Sequence, residues 1–244
     1  MTVWLDPVRT ALDAVPDPVV WYFRDDDAGW AEGRLTSLLD LFAVHHAPID
    51  LAVIPAALSA GLVQQLRHRI EMEGQPIGLH QHGYAHRNHE TEGRKCEFGP
   101  QRSLRQQYQD IEAGRNLLQS AFGSNLQPTF TPPWNRCTQT TVDVLLQLGF
   151  KALSRDSGAS SLETGQLTDV PVHVDWFGKF RLDRAGFSLL GERIAAVIGQ
   201  SPAVGVMLHH ERMDTGELGR LAELLGLLTQ HRSVRLVLMQ KWLP

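Results

Sequence analysis

The chain has 244 residues, of which 43% are hydrophobic and 20% charged, a composition that excludes intrinsic disorder and suffices for a full buried core. Lys and Arg number 23 against 27 Asp and Glu, and the net charge of −4 argues against a general nucleic-acid binder. Two cysteines exclude a disulfide framework, and neither a secretion signal nor an apolar run of roughly 20 residues for a membrane span is visible. We expect a cytoplasmic protein without nucleic-acid or membrane partners.

Apolar runs alternate with amphipathic segments along the chain. In chain order they predict strand Val19–Arg24, helix Leu35–His46, strand Ile49–Ile54, helix Pro55–Ile70, strand Ile77–His82, helix Ser103–Phe122, strand Pro128–Thr131, helix Thr138–Leu148, strands Phe150–Leu153 and Asp169–Val174, helix Gly186–Ile198, strand Val204–His209, a helix from Asp214 to His231, and strand Val234–Met239. Such alternation indicates a mostly parallel α/β sheet, and about eight strands in a single domain over residues 1–244 favour a closed or nearly closed barrel.

Potential metal ligands follow two of the predicted strands. The first strand ends in Asp25, Asp26 and Asp27, three adjacent carboxylates that repel one another unless a cation balances them. The third ends in HGYAH, where His82 and His86 are four residues apart and are able to face one ion. One Asp with two His forms a suitable ligand set for a divalent metal, so the sequence predicts a metal site here.

Three other predicted strands also end in residues able to do chemistry. The fourth leads into Pro132-Pro133-Trp134-Asn135, the sixth into Asp175-Trp176, and the seventh into His209-His210. Because the carboxyl ends of parallel strands lie at one end of a barrel, all of these groups are expected to meet there. This agreement favours an enzyme over a set of unrelated polar turns.

With these motifs the chain resembles the polysaccharide deacetylase family, also called the NodB-homology or carbohydrate esterase family 4 group, over residues 19–238. The resemblance implies a distorted (β/α) barrel with about seven or eight strands. It also implies that Asp26 is the general base and that Asp27, His82 and His86 bind the metal. A shift of one residue, to Asp25 and Asp26, is the alternative alignment.

The later motifs of the family match less completely. Its third motif carries an arginine that orients the catalytic Asp; the matching residues here, 130–135, have the proline and the aromatic residue but not the arginine, which leaves Arg24 or Arg155 for that role. Asp175 matches the fourth motif and is a candidate catalytic residue. The fifth motif supplies the general acid: literal spacing favours His210, whereas the strand register favours His209, which we prefer.

The resemblance therefore implies a metal-dependent hydrolase that removes an acyl group, expected to be acetyl, from an N-acylated sugar, oligosaccharide or small amide. The cofactor is expected to be Zn²⁺, with Co²⁺ or another transition metal as the alternative. The expected partner is this carbohydrate or small-molecule substrate. The residues predicted to contact it are Pro133, Trp134, Asn135, Trp176 and His80.

Two other functions fit part of the sequence. His80-Gln81-His82 is an HxH pair of the kind that amidohydrolase-type barrels use, although those barrels place it on the first strand and here it ends the third. A carbohydrate-binding or regulatory pseudoenzyme on the same fold would explain the missing arginine. The retained Asp26, Asp27 and histidines argue against that second alternative.

Overall fold

The structure is a computed structural model that describes residues 3–178, 186–201 and 203–242. Its strands within these ranges are β1 (Val19–Ala28), β2 (Ile49–Val53), β3 (Ile77–His82), β4 (Leu126–Thr131), β5 (Ala152–Leu153), β6 (Thr168–Asp169), β7 (Val174–Asp175), β8 (Ala203–His209) and β9 (Val234–Leu236). Its helices are α1 (Asp6–Ala14), α2 (Glu32–Val44), α3 (Ala60–Arg67), α4 (Leu104–Phe122), α5 (Gln139–Gln147), α6 (Gly186–Val197) and α7 (Thr215–Gln230).

All strands of the described residues belong to one parallel sheet. Eight follow one another in the order β6-β5-β4-β3-β2-β1-β8-β7, and β9 pairs with the start of β1. Every pairing in this sheet is parallel. The sheet curls with helices outside it, which confirms the predicted α/β class and the distorted (β/α) barrel.

Two of the differences from the predicted element boundaries have a local explanation. The predicted strand Asp169–Val174 is two short strands at opposite ends of the sheet, since β6 pairs with β5 and β7 pairs with β8. Pro171 lies between them and has no N–H to donate to a ladder. Pro55 opens only a short 3-10 turn, and α3 begins later, where the Ser59 hydroxyl accepts a hydrogen bond from Leu62 N–H at 3.0 Å.

Side-chain alternation along β1 decides which of its residues face the barrel interior. Trp21 and Phe23 pack against the helices, whereas Val20 and Tyr22 belong to a cluster with residues of β5 and β8 inside the barrel. Continuing this period of two sends Asp25 outward, and Arg24 and Asp26 inward. All ten residues of β1 are buried, so these charged groups need partners within the protein.

The same alternation holds in β8 and fills the space between sheet and helices. Val204, Val206 and Leu208 belong to the large outer core, while Met207 lies in the interior cluster, so His209 also faces inward. Leucines of α2 and α7 close the outer core. None of the described helices combines the length and the apolar content that crossing a membrane requires.

Asp50, a buried acid on β2, leads to a prediction about the stability of the fold. Burial raises the pKa of Asp50 to about 7, although Met239 N–H and the Gln127 amide donate hydrogen bonds to the carboxyl group. The folded state therefore binds the Asp50 proton more tightly than the unfolded chain. The stability that Asp50 contributes is therefore full below pH ~4, which is its pKa in the unfolded chain. This stability is lost as pH rises through about 7, its pKa in the folded protein.

We expect Asp50→Asn to raise the unfolding free energy more at pH 8 than at pH 5, by roughly 2–3 kcal/mol, because a neutral amide does not lose a proton as pH rises through about 7. Its NH₂ group is able to donate to Gln127 Oε1, a buried oxygen without a hydrogen-bond partner among the described residues. Urea unfolding at both pH values measures this, with the exposed Asp143→Asn as control. An equal effect at pH 5 and pH 8 would contradict the prediction.

Candidate active site

Three potential metal-ligand atoms meet at the carboxyl end of β1 and at the end of β3 with the loop that follows it. Asp27 Oδ1 lies 3.2 Å from Nε2 of His82 and 3.1 Å from Nε2 of His86. The ligand atoms of the three residues all lie within 4.8 Å of one another. One carboxylate and two imidazole nitrogens at this spacing suit Zn²⁺ and similar ions, so the residues present fit the divalent metal that the sequence predicts.

The HGYAH segment that carries the histidines is a tight loop shaped by a buried acid. Gly83 and His86 adopt left-handed backbone angles, with φ values of 55° and 52°. Glu97 is fully buried and accepts hydrogen bonds from the backbone N–H groups of Tyr84, at 3.2 Å, and Ala85, at 2.8 Å. Glu97 thus fixes the loop between the two proposed ligands, a role that the sequence analysis missed.

Contacts to the far sides of the imidazoles orient both rings. His82 Nδ1 lies 3.0 Å from the carbonyl oxygen of Thr131 and donates to it, which turns Nε2 toward Asp27. The His86 ring lies between two indoles, with centroids 4.9 Å from Trp30 and 4.4 Å from Trp134. The three ligands are therefore held in place by the protein itself.

The charges of this group are mutually supporting. Burial alone would raise the pKa of Asp27, but the hydrogen bonds and charges of His82 and His86 outweigh it and hold that pKa well below its usual range. Burial alone would lower the pKa of His82, and the neighbouring Asp27 and Asp26 raise it. A carboxylate that faces two imidazole nitrogens is an arrangement in which a divalent ion is able to take the place of protons.

The predicted base, Asp26, is paired with an arginine on its own strand. Arg24 Nε and Nη2 donate to the two oxygens of Asp26 at 2.8 and 2.9 Å. The same guanidinium donates to Ser154 Oγ at 2.8 Å and to Asn135 Oδ1 at 2.7 Å. Of the two arginines that the sequence left open, Arg24 thus contacts Asp26, because residues i and i+2 of a strand share a face.

The three adjacent aspartates have three different environments. Asp26 faces inward and Asp27 faces the histidines, whereas Asp25 points away and binds His210. Burial alone would raise the pKa of Asp26, but the Arg24 guanidinium lowers it overall and keeps the carboxylate ionised. Asp27 has a left-handed backbone angle, with φ of 69°, and a bulge follows Asp25. These two features point Asp25 and Asp27 in different directions, whereas a regular strand would place both on the same face.

The two candidate general acids differ in accessibility. His210 is fully buried; its Nδ1 lies 2.6 Å from Asp25 Oδ2 and its Nε2 lies 2.8 Å from the Trp30 carbonyl oxygen. Burial alone would lower the pKa of His210, but Asp25 raises it to about 9. His209 lies beside Asp26 in the strand register, and its Nδ1 has no hydrogen-bond partner among the described residues. Of the two histidines, His209 is the one with a partly exposed side chain, which makes it the stronger candidate for contact with a substrate.

A cleft of about 640 Å³ opens beside these groups. Of the predicted site residues, Trp134, Asn135, Asp175 and His209 line it. Trp134 and Asn135 both adopt left-handed backbone angles, which turn the loop after β4 toward the cleft. Asn135 serves in addition as a hydrogen-bond acceptor for Arg24.

Three residues that the sequence predicts to contact the substrate are buried in the structure. Trp176 is 0% exposed and lies in the outer core, where its Nε1 donates to Glu217 at 2.7 Å. His80 is also 0% exposed and pairs with the Thr131 hydroxyl at 2.9 Å, while burial and Arg24 lower its pKa to about 3. Pro133 is buried as well. All three side chains therefore contribute to the packing of the fold, and their contact with a substrate stays a prediction.

The sequence model of the polysaccharide deacetylases matches residues 13–153, more than half of the chain, and this stretch contains Asp26, Asp27 and both histidines of HGYAH. The chain belongs to the polysaccharide deacetylase family. Asp175 and His209 of this family member lie beyond the matched residues. No curated protein sequence matches the chain.

Solved structures share the fold of this polysaccharide deacetylase family member. A candidate polysaccharide deacetylase from Mycobacterium smegmatis is 17% identical, with a TM-score of 0.68 over 94% of this chain and 91% of that one. A family 4 acetyl xylan esterase from Clostridium thermocellum, in complex with a cobalt ion, is 12% identical, with a TM-score of 0.60 over 91% and 89%. A wild-type family 4 pseudoenzyme from Bacillus anthracis is 13% identical, with a TM-score of 0.58 over 91% and 63%.

Proposed function

We propose that the protein is a metal-dependent hydrolase that removes an acyl group, expected to be acetyl, from an N-acylated sugar, oligosaccharide or related small amide. The observation that carries this proposal is the placement of Asp27, His82 and His86 next to Asp26 and His209 at one end of the sheet. Membership of the polysaccharide deacetylase family supports the same reaction class.

Asp27, His82 and His86 would hold the ion, which we propose to be Zn²⁺, with Co²⁺ or another transition metal as the alternative. When bound, a divalent ion of this kind lowers the pKa of water and polarises a carbonyl group. The cobalt ion in the Clostridium thermocellum esterase is consistent with either choice.

The remaining steps fall to side chains of this protein. Asp26 is ionised and takes the proton of the attacking water. Arg24 holds both oxygens of that carboxylate in one orientation. His209 donates a proton to the leaving amine. Asp175, the other predicted catalytic residue, lines the same cleft as His209.

Substrate binding is proposed for the aromatic residues at the mouth of the site. Trp134 lines the cleft and its ring contacts His86, so an acyl group or a sugar face would pack against it beside the metal ligands. Trp30 lies on the other side of His86 and offers a second apolar wall.

Neither alternative function explains the geometry as well. The amidohydrolase interpretation needs His80 as a ligand, yet its Nε2 is bound to the Thr131 hydroxyl. The pseudoenzyme interpretation rests on the missing arginine of the third motif, and Arg24 contacts Asp26 in its place. Because a pseudoenzyme from Bacillus anthracis shares this fold, a non-catalytic binding role is the alternative to test against hydrolysis.

The test is acetate release from a panel of N-acetyl sugars, oligosaccharides and small amides, with elemental analysis of the same preparation. We expect stoichiometric divalent metal and release of acetate that a chelator stops and added Zn²⁺ or Co²⁺ restores. Metal-loaded protein that binds sugars without releasing acetate from any compound would favour the pseudoenzyme instead.

Within this assay, His209→Gln is expected to lower kcat by about 10²-fold or more without changing the melting temperature, because the amide has no proton to transfer. His210→Gln is expected to lower the unfolding free energy by roughly 3 kcal/mol, since Asp25 would lose its buried partner. The exposed His68→Gln is the control. Loss of turnover in His210→Gln alone, at unchanged stability, would reverse the assignment of the acid.

A further inference from the structure

Three arginines line the cleft, and none of them is paired with a carboxylate of the described residues. They are Arg94, from the loop between β3 and α4, Arg136, after the Trp134 turn, and Arg155, after β5. The arginines that do form ion pairs within the described ranges are Arg24, Arg67, Arg69, Arg102 and Arg220. The cleft thus contains cationic groups that have no direct counter-ion among the described residues of its walls.

Arg155 is the most informative of the three because it is buried. Its side chain is only 6% exposed, and one terminal nitrogen, Nη1, donates to the carbonyl oxygen of Ser160 at 2.9 Å. Its Nε is buried without a hydrogen-bond partner among the described residues. A desolvated guanidinium that retains free donors is unfavourable on its own and becomes favourable when an anion accepts from it.

Arg136, which also lines the cleft, repeats this pattern. Its Nη1 donates to the carbonyl oxygen of Lys95 at 2.8 Å, and its Nε is buried with no partner within the described ranges. Burial lowers the pKa of Arg136, and the charge of Arg94 lowers it further, so the two cations lie close enough to repel each other. An anion between them would relieve that repulsion.

Two aspartates also line the cleft, but backbone amides already engage them. Asp156 accepts from Gly158 N–H at 2.7 Å, and Asp175 accepts from Phe177 N–H at 2.9 Å. Neither carboxylate lies within ion-pair distance of the three arginines among the described contacts. The arginines therefore remain available for a ligand.

We propose that the cleft selects N-acylated substrates that carry an anionic group, a carboxylate or a phosphate, and that Arg155, with Arg94 and Arg136, binds this group. The proposal rests on the proposed deacetylation, since Trp134 and His209 line the same cleft. The planar fork of a guanidinium matches both anions with two parallel hydrogen bonds, which makes arginine the residue suited to such selection.

The test compares three probes that share the N-acetyl hexosamine ring: neutral N-acetylglucosamine, its 6-phosphate, and N-acetylmuramic acid, which carries a carboxylate. Calorimetry on the metal-free protein gives Kd for each, and acetate release by the metal-loaded protein gives kcat/KM. We expect at least one anionic probe to bind about tenfold more tightly than the neutral one, and the preference to shrink at high salt. The two anionic probes tell phosphate from carboxylate recognition.

Arg155→Gln is expected to remove this preference while leaving Kd for N-acetylglucosamine within about twofold. Arg155→Lys, which keeps the charge, should retain part of it, and Arg67→Gln on the surface of α3 is the control. Equal affinity for all three probes, or an equal loss for neutral and anionic probes in Arg155→Gln, would overturn the proposal. Tight, Arg155-dependent binding of an anionic probe without acetate release would instead leave the anion site standing and overturn the deacetylase function.

Discussion

Asp27→Asn is expected to abolish stoichiometric binding of a divalent metal and to lower acetate release by about 10³-fold or more. Asp27 supplies the only carboxylate among the proposed ligands, and its Oδ1 lies 3.1–3.2 Å from both imidazole Nε2 atoms. Loss of a charged ligand weakens the metal site directly. Loss of the metal then removes several kcal/mol of stabilisation from the transition state, and each 1.36 kcal/mol is about tenfold in rate.

Asparagine is the informative substitution because of the backbone at this position. Asp27 has φ of 69°, and Asn tolerates left-handed angles better than Ala or Leu. The variant therefore keeps the shape of the loop and removes one charge. Any loss of activity is then assigned to the metal ligand rather than to a refolded strand end.

Elemental analysis, metal titration and acetate release measure this outcome, with thermal unfolding as the check on folding. Asp143→Asn, on the exposed face of α5, is the matched control. A folded Asp27→Asn protein that retained both metal and hydrolysis would show that the metal lies elsewhere, and the proposed mechanism would be wrong.

Arg24→Met is the second change with a large expected effect, and it acts on stability and activity together. Arg24 is fully buried and makes two hydrogen bonds to Asp26 as well as bonds to Ser154 and Asn135. Its removal leaves the Asp26 carboxylate buried without a counter-charge, which costs roughly 3–5 kcal/mol. It also frees the base to rotate away from the reacting water, so we expect kcat to fall by about 10²-fold or more.

Arg24→Lys separates the two effects. Lysine restores the charge but not the fork that holds both oxygens, so we expect most of the stability to return and less of the activity. Arg67→Met, which breaks an exposed pair with Glu71, is the control and is expected to cost about 0.5 kcal/mol or less. Urea unfolding and kcat at saturating substrate measure both quantities. An Arg24→Met enzyme with unchanged kcat would show that Asp26 needs no orienting partner.

The fold and the proximity of Asp27, His82 and His86 were predictable because they depend on short-range patterns. Period-two strands, helical segments and HGYAH at a strand end are visible in the sequence without knowledge of distant contacts. The sequence did not decide which arginine contacts Asp26, because Arg24 and Arg155 have the same side chain. Only the inward direction of Arg24 on β1 places it beside that carboxylate. Glu97 was missed because it lies in a polar loop without periodicity.

The burial of two predicted substrate contacts could not be foreseen from the sequence. The sequence shows that Trp176 and His80 lie at or near strand ends but not which way each side chain points; Trp176 packs in the outer core and His80 is buried inside the barrel. The preference for His209 over His210 came from strand register, and the structure gives these two residues the environments that this register implies. Their catalytic roles stay a prediction until the variants are measured.

Four non-glycine residues with left-handed backbone angles lie at or beside the proposed metal site. Asp27, His86, Trp134 and Asn135 all have φ between 52° and 69°. Each such residue costs of order 1 kcal/mol relative to a relaxed backbone. A screen for thermostable variants would therefore select substitutions at these four positions, where Gly relieves the strain. Such substitutions would raise the stability of the fold and lower the proposed hydrolytic activity. Engineering for heat resistance should hold these four positions fixed and work on the helices outside the barrel.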